Sequence, residues 1–235
     1  MTVERLRVWL EPGYDGGRFG AWMLDLPGCF TWRPDREATL AEAVPRAVEF
    51  VRWLADHGEP APFDVTGREA IEVVEEVAPT WDGDYERNAT FAADHDTVSA
   101  DELDAAIRVL GHARADLDDL LRRLGGAATG ISDGRPDRPV EEVLRHVGGA
   151  EIWLASRLDG SLRYAGPTPD DGLDVYLATT RAWTIEQIRL LHGRDPGLER
   201  TDGKGETWTL RKVVRRLVYH SLDHVDELAL RSTRS

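Results

Sequence analysis

His220 and His224 stand one helical turn apart in Trp208–Leu230, a segment with apolar residues at Leu210, Val213, Val214, Leu217 and Leu228. Steps of three and four mark one face of a helix. Counting on from Leu217 by three and seven reaches both imidazoles, which therefore stand where core residues are expected and should point inward. At i, i+4 their Cβ atoms lie roughly 6 Å apart, so two ring nitrogens can converge on one divalent cation at about 2.0–2.1 Å. A third histidine, His146, sits on the flank of another predicted stripe, three residues after Val143 and four before Ala150. It can point into the same interior. One inward histidine on one helix and a pair on another form a ligand set that a helix bundle positions by its own packing. Three neutral imidazoles leave an ion open positions for water or substrate, as in catalytic sites; structural zinc sites close with four ligands. Zinc, nickel and iron all suit such donors.

Each of these side chains also has a plainer reading. A single inward histidine is commonly a core residue bonded to a backbone carbonyl, but two unpaired imidazoles in one core would each need a partner. Glu227 follows His224 by three and faces the same way. It is a candidate fourth ligand or a base behind the ligands, or else a partly exposed carboxylate paired with Arg231. Trp153 and Trp208 are candidates for the wall of a pocket beside the ion, or helix-end packing residues. Glu151 falls off the face of His146 and reads as structural. Cys29 follows a Pro-Gly turn with no histidine nearby and reads as a small buried residue. His57, His95, His112 and His192 show no facing partner and read as surface or capping groups. Asp116, Asp118 and Asp119, like Asp223 and Asp226, read as solvated faces.

The elements that must position these groups fall into two halves. Leu6, Val8 and Leu10 alternate with Arg5, Arg7, Trp9 and Glu11, the period of a half-buried strand. A glycine-rich turn, a second strand from Phe19, the Pro27-Gly28 break and a third strand over 29–32 follow. Thr39-Leu40-Ala41-Glu42 reads as a capping box opening a helix with Leu40, Ala43, Val44, Ala47, Val51 and Leu54 on one face. Pro45 within it should cost a hydrogen bond or bend it. Ile71 and Val73 suggest one more strand. The expected fold is thus a small α+β domain of order β-β-β-α-β over 1–77, a loop or linker over 78–98 anchored by Tyr85 and Phe91, and an all-α four-helix bundle over 99–235. Its first helix opens on the capping box Ser99-Ala100-Asp101-Glu102, runs through Leu124 and stops at Gly125-Gly126. The second starts at Asp137 and Pro139 and ends near Leu158, the third spans about Leu173 to Leu191, and the fourth begins at Thr209.

Two resemblances attach to these patterns. His146 with Glu151 and Trp153, followed by Trp208-Thr209-Leu210 and Tyr219-His220-Ser221-Leu222-Asp223-His224, resembles the DinB/YfiT-like superfamily. That resemblance implies a four-helix bundle holding a divalent metal, here through His146, His220 and His224. It also implies metal-dependent transfer or isomerisation using a low-molecular-weight thiol. Upstream, the run Gly20-Ala21-Trp22-Met23-Leu24-Asp25-Leu26-Pro27-Gly28-Cys29-Phe30-Thr31 and the helix through Ala43 and Ala47 resemble the HicB-like antitoxin fold. The chain departs from that family by continuing into the helical half rather than into a DNA-binding segment.

Composition narrows the function classes. With 41% hydrophobic and 31% charged residues over 235 positions, the chain reads as an ordinary soluble globular protein. Its net charge of −14 repels phosphate backbones and anionic lipid, so neither nucleic acid nor a membrane is an expected partner. Met1–Arg7 alternates charged and apolar residues, unlike a secretory signal. A lone cysteine excludes an internal disulfide and fits a reducing cytoplasm. Three readings follow: a metal-dependent enzyme acting on a small molecule; a non-catalytic module whose sheet binds a protein partner while the bundle forms a homodimer; and a toxin–antitoxin component binding a small basic protein.

Overall fold

The computed structural model describes residues 5–60, 70–124 and 139–232. Its N-terminal half is a four-stranded sheet in the order β3-β2-β1-β4. β1 (Leu6–Gly13) turns through α1 (Tyr14–Gly17), a single turn with Asp15 and Gly16 at positive φ, into β2 (Arg18–Trp22). β3 (Phe30–Arg33) completes an antiparallel run in which Trp9 faces Trp22 and Gly20 faces Trp32. α2 (Arg36–Asp56) then crosses over, so β4 (Ile71–Glu76) lies parallel to β1 with Val8 opposite Val73. The order β-β-β-α-β is as expected from the sequence, but α2 starts earlier. Asp35 caps it, accepting from the Ala38 amide at 2.8 Å. Thr39 sits inside the helix, donating to the carbonyls of Asp35 and Phe19. Pro45 is accommodated within α2. The buried face of α2 is Ala43, Ala47, Phe50 and Leu54, packed with Leu6, Val8 and Leu10.

β1 is not half-buried. Trp9 and Glu11 are buried as deeply as Val8 and Leu10 on the α2 side, because the segment after β4, together with Tyr219, covers the sheet's second face. There Trp9, Trp22, Phe30, Ala89 and Phe91 form an aromatic layer against which Tyr14 and Tyr219 pack. Glu11 is satisfied in this dry layer by the indole N–H of Trp22 at 2.9 Å and the Ala89 amide at 2.7 Å. The covering segment is the stretch expected as a loop. It carries a hairpin, β5 (Thr80–Asp82) with β6 (Tyr85–Arg87), and a 3₁₀ turn at Ala92–His95.

The helical half comprises α3 (Ala100–Leu124), α4 (Val140–Leu158), α5 (Leu173–Arg194) and α6 (Leu210–Ser232). α3 packs on α6, and α4 packs on both α5 and α6. The capping box at Ser99 and Glu102 forms reciprocally, at 3.2 and 2.7 Å. A second hairpin, β7 (Glu199–Thr201) with β8 (Thr207–Thr209), leads into α6. Gly125-Gly126, Asp137 and the side chains of Leu124 and Arg231 lie outside the described residues. α6 is buried on most of its circumference, which explains its buried cations. Arg215 grips Asp94 through two bonds of 2.7 and 2.8 Å, and Lys212 Nζ donates to Asn88 O, Thr90 Oγ1, Glu206 Oε1 and Thr207 O. Desolvation lowers the Lys212 ammonium to about 8 despite these acceptors.

Candidate metal centre

α6 presents His220 and His224 toward α4, and α4 presents His146 toward them. The Nε2 atoms of His146 and His220 are 3.0 Å apart, and those of His220 and His224 are 3.2 Å apart. One ring nitrogen from each of the three lies within 4.8 Å of the other two. Expectation and structure part over depth. Only His224 is buried, His220 is half-buried and His146 is exposed, so the cluster sits at the bundle's edge rather than in its interior.

Glu227 is not the partly exposed end-of-bundle carboxylate that its spacing also allowed. It is buried, and its Oε2 lies 2.7 Å from His224 Nδ1. A carboxylate can only accept there, so Nδ1 carries a proton, and in the neutral ring Nε2 is the nitrogen whose lone pair faces the cluster. The fit to a divalent ion can be judged from these separations. Bonds of about 2.0–2.1 Å in tetrahedral or octahedral geometry set neighbouring nitrogens roughly 2.9–3.4 Å apart. The two nearest pairs fall in that range. A carboxylate behind a ligating imidazole is also the usual outer partner of a metal-bound histidine.

The exposed side of the cluster opens on a cavity of about 450 Å³ lined by His146, Gly149, Ala150, Trp153, Leu154, Arg216, Tyr219 and His220. Trp153 is thus a wall residue. Trp208 is not: it is fully buried behind Trp153, edge-on to it at 5.2 Å between ring centroids. Tyr219 joins this cavity to the sheet, since its hydroxyl meets that of Tyr14 at 2.8 Å. Burial raises both phenols, Tyr14 to about 12. Sequence reasoning missed Tyr219 and Arg216 as lining residues, although Arg216 precedes His220 by four and so shares its face.

The remaining candidates resolve into structural roles. Glu151 is buried and receives Arg181 and Arg114 at 2.6 and 3.0 Å. Cys29 is buried, and desolvation pushes its thiol up to about 12. The other histidines do have partners. His57 meets Asp116 at 3.1 Å, His112 meets Glu59 at 3.1 Å, His95 meets Glu199 at 2.7 Å and His192 reaches the Val98 carbonyl at 2.8 Å. Asp116 and Asp226 are likewise not simply solvated: Asp116 also accepts from Trp53, and Asp226 pairs with Arg46. Compared with models of protein families, with curated proteins and with solved structures, the chain finds no match.

Proposed function

We propose that this chain is a divalent-metal protein of DinB-like architecture, with a HicB-like sheet packed on it, that catalyses transfer or isomerisation of a small molecule with a low-molecular-weight thiol. The observation that carries the metal reading is the convergence of three imidazole nitrogens at 3.0 and 3.2 Å, with His224 held from behind by Glu227. The thiol chemistry rests on the sequence resemblance of His146, Glu151, Trp153 and the Tyr219–His224 run to that superfamily. Zinc, nickel and iron each fit the donor set. When bound, such an ion supplies a Lewis acid that lowers the pKa of a thiol or water at its open side. The chain's own residues do the rest. His146, His220 and His224 hold, Glu227 orients, and Trp153 with Leu154 shields one side of the cavity from water. No helix among the described residues is long and apolar enough to cross a membrane. A reducing cytoplasm, where thiols persist, suits the activity.

Elemental analysis of protein purified without added metal is expected to find about one divalent ion per chain, bound by neutral imidazoles. The variants H220A and H146A should lose it while keeping their far-UV circular dichroism. Metal-loaded wild type should consume thiol in the presence of an electrophile, and H220A should not. An absence of metal in the wild type, or its retention in both variants, overturns the metal centre; metal without thiol consumption overturns the chemistry alone.

A further inference from the structure

Four cations, Arg211, Lys212, Arg215 and Arg216, lie close together on α6, and three are held by hydrogen-bonded or ion-paired partners. Arg211 reaches Glu102 and the carbonyls of Asp96 and Thr97, and Lys212 has four acceptors. Arg215 is clasped by Asp94 and the Ala89 carbonyl, although its own Nη1 is buried without a partner. Arg216 differs. It is half-buried, and among the described residues its guanidinium has neither a hydrogen-bond nor an ion-pair partner, with Nη1 shut away from water. The Trp208 ring lies 6.0 Å from it. A guanidinium carries five donors in a planar fork, and of this fork Nη1 is buried without a match, which is costly. The Arg216 side chain lines the same cavity as His146 and His220.

Much of the remaining lining is apolar or small: Gly149, Ala150, Trp153 and Leu154 on α4. Its volume of about 450 Å³ is that of a small-molecule site. Arg216 and His220 are at i, i+4, so their Cβ atoms are roughly 6 Å apart along one helix face. A single planar cation beside a largely apolar wall matches a monoanionic carboxylate, taken bidentately.

We propose that Arg216 is the anion anchor of this cavity and that the ligand is a small apolar or aromatic acid. Its carboxylate rests on Arg216 while its other end reaches the imidazole cluster one helical turn away. This identity of the substrate rests on the metal-centre reading, but the anchor can be tested apart from it.

Full-length wild type is titrated calorimetrically with 3-phenylpropanoate and with the uncharged 3-phenylpropanamide. The acid should bind about tenfold more tightly or better, the scale of a charge-assisted bidentate pair. In R216Q the two ligands should bind within about twofold of each other, while R216K, which keeps the charge and loses the fork, should fall between. Equal binding of acid and amide by wild type overturns the anchor, and so does an acid preference that survives in R216Q or equals wild type in R216K. Metal content is measured on the same preparations. Metal without acid preference leaves the centre and removes the anchor; acid preference in protein that holds no metal does the reverse.

Discussion

A single carboxylate decides how His224 presents itself. Glu227 keeps the proton on Nδ1 and aims Nε2 at its neighbours. E227Q would preserve an acceptor but remove the charge, and outer partners of this kind are worth about 10–100-fold in metal affinity. Competition against a chromogenic chelator should show E227Q weakened by that factor; unchanged affinity would mean that the carboxylate orients nothing. The His220–His224 pair was legible because two polar rings interrupted an apolar stripe. His146 was legible as a member of the cluster but not in its depth, since the flank of a stripe is inside or outside depending on which helix packs beside it. Arg215, Lys212 and Arg216 were illegible. Charged residues on a helix read as solvated, and only tertiary cover turns them inward.

At the scale of elements, one turn of the sheet half presses directly on α6. Gly28 has φ +94°, and a Cβ placed there would stand 2.2 Å from Val218 Cγ1 on α6. Gly58 also has a positive φ, +76°, but opens on empty space. G28A should therefore lose about 1–3 kcal/mol more stability than G58A, the scale of overpacking. Thermal or urea unfolding of the two variants measures the difference, and equal losses would leave only backbone strain. The Pro27-Gly28 break could be seen in the sequence, but the helix pressed against it could not. Both hairpins were missed for a different reason. Strands such as Thr80-Trp81-Asp82 and Glu199-Arg200-Thr201 are three residues long and exposed or half-exposed. They show too little alternation to stand out from loop.

Across the whole molecule, the two halves share a core. Leu6, Val8 and Met23 of the N-terminal half belong to the same buried cluster as Leu103, Val213 and Leu217 of the helices. Polar ties run alongside it, Arg46 to Asp226 at 2.9 Å and Trp53 to Asp116 at 2.7 Å. The chain should unfold as one cooperative unit. Denaturation curves from tryptophan fluorescence and far-UV circular dichroism are expected to coincide, and two separated transitions would show independent domains. Sequence periodicity located both halves and their order. It could not show that the second face of the sheet is dry, because the residues that cover it come largely from a segment with no periodicity of its own. That shared interior also seals off Cys29, the chain's lone sulfhydryl, whose acidity is suppressed to about 12. The folded protein then presents no cysteine thiolate of its own to a reagent or an added metal. Alkylating reagents used to count an added small thiol would leave the folded polypeptide's own thiol untouched.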